Sequence, residues 1–163
     1  MPITVETGSI VSGANSLVTR QEYIDYASAV GTTIADDTEA DEELISAMRV
    51  IDSVEPYLQS VRMERDQALS FPRASMYIDG WYYESTDIPQ AAKDAQMEIA
   101  LYINAGNDPY NPKQRKIRTK EKVDVIEVEY AAGRPYRQTE SERWELLLSK
   151  LYRNAGRMVL ERS

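Results

Sequence analysis

Gln67-Ala68-Leu69-Ser70-Phe71-Pro72-Arg73, followed by Met76-Tyr77-Ile78-Asp79-Gly80-Trp81-Tyr82-Tyr83 and then by Asp87-Ile88-Pro89, is the stretch whose reading decides the fold. Pro72 forces Phe71 into an extended backbone, because the proline ring collides with a helical residue ahead of it. Phe71 is therefore an aromatic anchor presented from a non-helical segment. Asp79-Gly80 is a turn dipeptide, which predicts a hairpin around it. Pro89 suits the first position of a helix, where the N–H it lacks would have no partner. Behind it Ala91, Ala92, Ala95, Ile99, Tyr102 and Ile103 recur on one face, with Met97 and Leu101 beside them. A helix apolar on more than one side is a central helix. Phe71, Ile88, Ala95 and Ile99 are the predicted core anchors.

Working upstream, Thr38 to Glu43 opens an acidic helix, whose carboxylates favour the positive end of the helix dipole. Leu44, Ala47, Met48, Ile51 and Val54 then follow at helical spacing until Pro56 stops or kinks it. Tyr57, Leu58 and Val61 are expected to extend that apolar face. Thr19-Arg20-Gln21-Glu22 is a capping box, and the helix behind it places Tyr23, Ala27 and Val30 on one face before Gly31. Gly8 to Ser16 reads as a loop with glycines at unusual backbone angles. Ile3 to Glu6 alternates like a short edge strand.

Downstream, Val123 to Tyr130 carries the best strand pattern, with Ile126, Val128 and Tyr130 on one side. Gly133 and Pro135 break the chain. Thr139-Glu140-Ser141-Glu142 reads as a second capping box, leading into an apolar stripe of about five turns through Trp144, Leu148, Leu151, Tyr152 and Val159. The predicted class is mainly α: a helical bundle core with a small β hairpin over residues 1–135, and a C-terminal amphipathic helical arm over 136–163.

Among 163 residues there is no cysteine and no histidine, which removes thiolate and imidazole chemistry together with the commonest metal ligands. The clusters Asp36-Asp37 and Asp41-Glu42-Glu43 lie at a helix start, where capping accounts for them. No catalytic, metal or cofactor site is predicted, and the chain reads as a non-enzyme. No run of about 18 apolar residues is present, so no membrane span is expected. Met1-Pro2-Ile3-Thr4 lacks the basic and apolar regions of a secretion signal, which points to a cytosolic product.

The net charge of −8 is polarised. Residues 1–66 hold 4 cations against 13 anions, residues 67–112 hold 2 against 6, and residues 113–163 hold 13 against 8. Such polarity suits head-to-tail packing of copies, or docking of two ends on different partners. Lys113, Arg115, Lys116, Arg118, Lys120 and Lys122 form a basic run. Three uses stay open for it: a solvated loop and strand edge, a contact with an acidic protein surface, or a track for a nucleic-acid backbone. Tyr77, Trp81, Tyr82 and Tyr83 could stack bases, but Asp79, Glu84 and Asp87 beside them favour core packing or a protein interface.

Five stretches together resemble a phage family labelled DnaT-like single-stranded-DNA-binding proteins, which is itself similar to head–tail connector proteins of tailed phages. They are Gly13 to Val18 running into Tyr23 and Tyr26-Ala27, Leu44 to Ala47 through Ile51-Asp52, Gln67 to Arg73, Ile88-Pro89 through Asp94-Ala95 to Ala100, and Val123 to Tyr130. The chain departs from the pattern at Phe71, where tryptophan is expected, and after Tyr136, where it is longer and more helical. The resemblance implies a structural virion protein in the neck between capsid and tail, assembled in the host cytoplasm. It implies a homo-oligomeric ring, dodecameric to match the portal protein, that extends the channel through which genomic DNA passes without specific binding. The expected contacts with portal, tail protein and neighbouring copies are the six cations of the basic run with Trp144, Leu148, Leu151, Tyr152 and Arg157. The alternative is a phage replication accessory that binds single-stranded DNA through the 113–122 cations and the Tyr77–Tyr83 aromatics.

Overall fold

A computed structural model describes residues 2–110 and 142–153. Four helices and one two-stranded antiparallel hairpin make a mainly helical fold, as the patterning predicts: α1 (Arg20–Ala29), α2 (Asp37–Ser53), β1 (Met76–Ile78), β2 (Trp81–Tyr83), α3 (Gln90–Asn104) and α4 (Arg143–Ser149). The basic run 113–122, the strand pattern 123–130, the break at Gly133 and Pro135, Thr139 and Arg157 lie outside the described residues, as does the expected boundary at 135/136.

α3 is the centre of the bundle, packed against α1, α2 and α4. It buries Ala92, Ala95, Met97, Ile99 and Ala100, so its apolar sides are used on more than one face. Small alanines let neighbouring helices approach, and Phe71 belongs to the same core, fully buried. Ile88 is only half-buried at the edge of that core.

α1 is capped as expected, with Thr19 and Glu22 satisfying each other's backbone N–H groups, and Gly31 follows at φ +80. Val30 is the C-cap and is exposed, because the helix ends before it can turn inward. α2 starts one residue ahead of the expected Thr38, since the Asp36 carboxylate accepts the N–H groups of Thr38 and Glu39. It ends at Ser53, and Pro56 sits inside a short 3₁₀ turn, Glu55–Tyr57. That turn corrects the expected apolar continuation: Leu58 is buried, whereas Tyr57 and Val61 point to solvent. Ile3 to Glu6 contributes one parallel bridge, Val5 to Ser16, and no regular strand.

α4 corrects the expectation of a five-turn helix from a Thr139 box. It spans two turns, and Glu142 and Glu145 form its capping box. The chain then turns, so that Leu58 and Tyr152 form an antiparallel bridge and the Arg153 N–H donates to the Tyr57 carbonyl. Among the described residues, α4 packs on α3.

Three polar side chains, Gln96 and Glu6 buried and Glu98 partly so, hold the framework together. Gln96, fully buried on α3, accepts from the Leu17 N–H at 2.8 Å and donates to Ser16 Oγ and the Leu44 carbonyl, both at 2.9 Å. The Glu6 carboxylate accepts the N–H groups of Gly8, Ile10 and Val11. Gly8 allows this fold-back: it stands at φ +97, and a Cβ there would lie 1.8 Å from the Thr86 carbonyl oxygen. Glu98 accepts from Tyr26 Oη at 2.6 Å and pairs with Arg143 at 3.1 Å, joining α1, α3 and α4.

Candidate functional site

Asp79 and Gly80 take φ values of +51 and +86, a turn whose twist matches the two strands it joins. The register that follows is Met76 opposite Tyr83, Tyr77 opposite Tyr82, and Ile78 opposite Trp81. Met76 and Ile78 are buried and alternate with Tyr77, which is exposed. Tyr83 packs partly on the core. Tyr77 and Tyr82 therefore share the outer face of the hairpin, their rings 5.4 Å apart and tilted by 59°. Trp81, opposite Ile78, belongs to the other face yet is 75 % exposed, and Tyr77 and Tyr82 are 62 % and 53 % exposed. Of the two expected uses, core packing or a protein interface, the first applies to Tyr83 alone, because the strand period sends Tyr77 and Tyr82 outward.

A rigid base holds this platform. The Gln59 amide oxygen accepts the Tyr77 N–H at 3.3 Å, and its Nε2 donates to the Lys150 carbonyl at 3.2 Å. Lys150 Nζ lies 3.0 Å from Asp79 Oδ2 at the turn itself. Just before the hairpin, the loop 67–73 is built around Arg73, whose guanidinium donates to the carbonyls of Gln59 (2.7 Å), Ser60 (2.8 Å) and Ser70 (3.0 Å). Gln67 Nε2 donates to the Leu69 and Pro72 carbonyls, closing the loop around the cis Phe71–Pro72 peptide.

Burial lowers the affinity of Arg73 for its proton, an effect that Glu55 at 3.5 Å partly offsets. The hydrogen bonds from Arg62 hold the Glu55 carboxyl below its usual range. Burial pushes the Asp52 carboxyl up, although it accepts the Ser70 N–H at 2.9 Å. These groups are committed to holding the loop, so they have no free valence for a ligand.

The expected partner contacts separate in the structure. Leu148 and Leu151 are fully buried and Trp144 nearly so, all within this chain's own core, with the Trp144 ring 6.3 Å from Tyr102. Within this chain, α4 packs its apolar stripe on α3. Tyr152 is half-buried, edge-on to Tyr57 at 6.4 Å, and lines a groove of about 500 Å³ with Val54, Pro56 and Arg153. The six cations of 113–122 and Arg157 lie outside the described residues.

A second concavity, about 390 Å³, is lined by Glu39, Glu42, Glu43, Ser46, Ile103 and Asn104. Glu43 is engaged by Tyr23 Oη and Asn104 Nδ2. Among the described residues no group of acidic side chains is placed to hold a metal ion, and no helix is long and apolar enough to cross a membrane.

A family model described as "Putative DnaT-like ssDNA binding protein" matches residues 1–163. No curated protein and no solved structure matches the chain.

Proposed function

Because the chain belongs to the DnaT-like single-stranded-DNA-binding family, we propose that it binds single-stranded DNA, with Tyr77 and Tyr82, which share the outer face of the hairpin, as the surface on which bases stack. The observation that carries this reading is the exposure of these two aromatic side chains on a hairpin that is braced from beneath. Every base has a π-face, so such a platform accepts any sequence, at about 1–3 kcal/mol per stacked base. Braced rings also lose little freedom on binding. Phosphate charge is met by cations, which the sequence supplies in Lys113, Arg115, Lys116, Arg118, Lys120 and Lys122. No chemistry on the strand is required, and no cofactor enters this reading.

The test is a fluorescence-anisotropy titration of a labelled oligothymidine at low salt. Micromolar binding that weakens steeply with salt is expected, with a loss of tenfold or more in the Tyr77→Ala, Tyr82→Ala double variant. Absence of binding at low salt rejects the proposal.

A second reading rests on a separate observation. Residues 1–112 hold 6 cations against 19 anions, and Glu39, Glu42 and Glu43 line an open groove on α2. An acidic body repels phosphates, which suits a ring that DNA slides through. In that case the chain is a head–tail connector subunit between a portal protein and a tail protein, and the exposed aromatics face protein partners. Stoichiometric presence in purified virions, measured by mass spectrometry, supports this second reading over the first. Absence from the particle removes it.

A further inference from the structure

We propose that Lys150 is a phosphate-binding residue of the hairpin site, held in the free protein by Asp79 as an internal stand-in for a phosphate. The inference rests on the single-stranded-DNA reading above and deepens it by assigning a cation to the stacking platform.

The described arginines around the platform are already committed. Arg62 is bidentate on Glu55, Arg73 is buried among three carbonyls, and Arg153 Nε donates to the Leu58 carbonyl. Lys150 differs. It is the C-cap of α4, its side chain is 46 % exposed, and its ammonium meets Asp79 at the hairpin turn. Asp79 follows Ile78 and is one glycine away from Trp81, so the ammonium lies at the end of the aromatic platform.

The pairing is weak by its surroundings. The Asp79 side chain is 64 % exposed, and ion pairs in such solvent contribute little. A phosphate carries the same negative charge with more acceptor oxygens, so exchange of Asp79 for a phosphate needs no rearrangement of the backbone. Gln59 keeps the two partners in place, since one side chain bonds both the Tyr77 N–H and the Lys150 carbonyl. A strand stacked on Tyr77 and Tyr82 then brings its phosphates to an ammonium already positioned at the turn. The Asp79 carboxylate, once released, opposes the same phosphates.

Two single variants test this in the full chain, by anisotropy titration of an oligothymidine over a series of salt concentrations. Lys150→Gln is expected to weaken binding and to reduce the steepness of log K against log salt by about 0.7, the loss of one phosphate contact on a single strand. Asp79→Asn keeps φ > 0 accessible, and is expected to tighten binding severalfold at unchanged slope. Circular dichroism checks that both variants are folded. If both bind with wild-type affinity and slope while the Tyr77→Ala, Tyr82→Ala variant loses binding, the Lys150 assignment is overturned and the stacking site stands. If the wild-type chain does not bind at all, the underlying reading fails instead.

Discussion

Residues 67–73 and 76–83 are neighbours in sequence and opposites in how they use their side chains. The first segment hides what is usually exposed: Gln67, Ser70 and Arg73 are buried with Phe71. The second exposes what is usually hidden: Tyr77, Trp81 and Tyr82. The difference follows from where their backbone polar groups go. A hairpin satisfies its N–H and C=O groups across the ladder, which leaves its side chains free to face either way. The irregular loop has no ladder, so side chains must satisfy its carbonyls. Arg73 and Gln67 do so for Gln59, Ser60, Ser70, Leu69 and Pro72. One segment is scaffold because its backbone is irregular, and the other can present a surface because its backbone is not.

Phe71 and Trp81 give the sharpest contrast. Phe71→Ala opens a cavity in the core and is expected to cost about 3–5 kcal/mol, read as a shift in urea midpoint at constant slope. Trp81→Ala removes an exposed ring and is expected to change stability by less than about 0.5 kcal/mol. Comparable losses in the two variants would break the division into scaffold and presented surface.

Arg73 tests the polar half of the same contrast. Arg73→Met keeps the aliphatic stem and removes the donors to three carbonyls. The expected cost is about 3 kcal/mol, because a buried acceptor left unpaired loses its full desolvation free energy. Hydrogen exchange should show the loop and the adjoining β1 opening first. A variant as stable as wild type would mean that water satisfies these carbonyls, and that the loop is not fixed by Arg73.

Much of this framework was legible in the residues, wherever the signal was local. The Thr19/Glu22 box, the stop at Pro56 and the Asp79-Gly80 turn depend on neighbours within four positions. The central place of α3 was legible because alanines and larger apolar residues cover several of its sides. The polar staples were not. Gln96 bonds Ser16 and Leu17 about 80 residues away, and Arg73 bonds Gln59 and Ser60 across a loop. Their residue types carry no mark of burial. The outward placement of Tyr77 and Tyr82 was readable in principle, since Met76, Ile78 and the two-residue turn set the phase. The carboxylates Asp79, Glu84 and Asp87 beside them pointed to core packing or a protein interface without deciding between the two. At α4 the stripe predicted burial but could not name the partner, and α3 is that partner.

The smallest expected effect concerns Asp52, which connects α2 to the loop through the Ser70 N–H. Burial raises its carboxyl pKa in the fold, with Arg62 acting against the rise and Glu55 adding to it. A raised folded pKa means that the stabilising contribution of protonated Asp52 is complete below the unfolded carboxylate value. That contribution is lost as pH rises through the folded value. Glu55 has the opposite sign: its lowered pKa stabilises above the ordinary carboxylate range and fails as pH falls through the folded value. Asp52→Asn retains an oxygen to accept the Ser70 N–H and abolishes the titration at this position alone. The variant should therefore melt slightly above wild type at pH 7, and the gap should close as pH is lowered below the ordinary carboxylate range. A variant less stable than wild type at pH 7 would show that the charge itself strengthens the bond to Ser70. Desolvation would then not be the dominant force on this carboxylate, and the loop would be held by its anion as well as by Arg73.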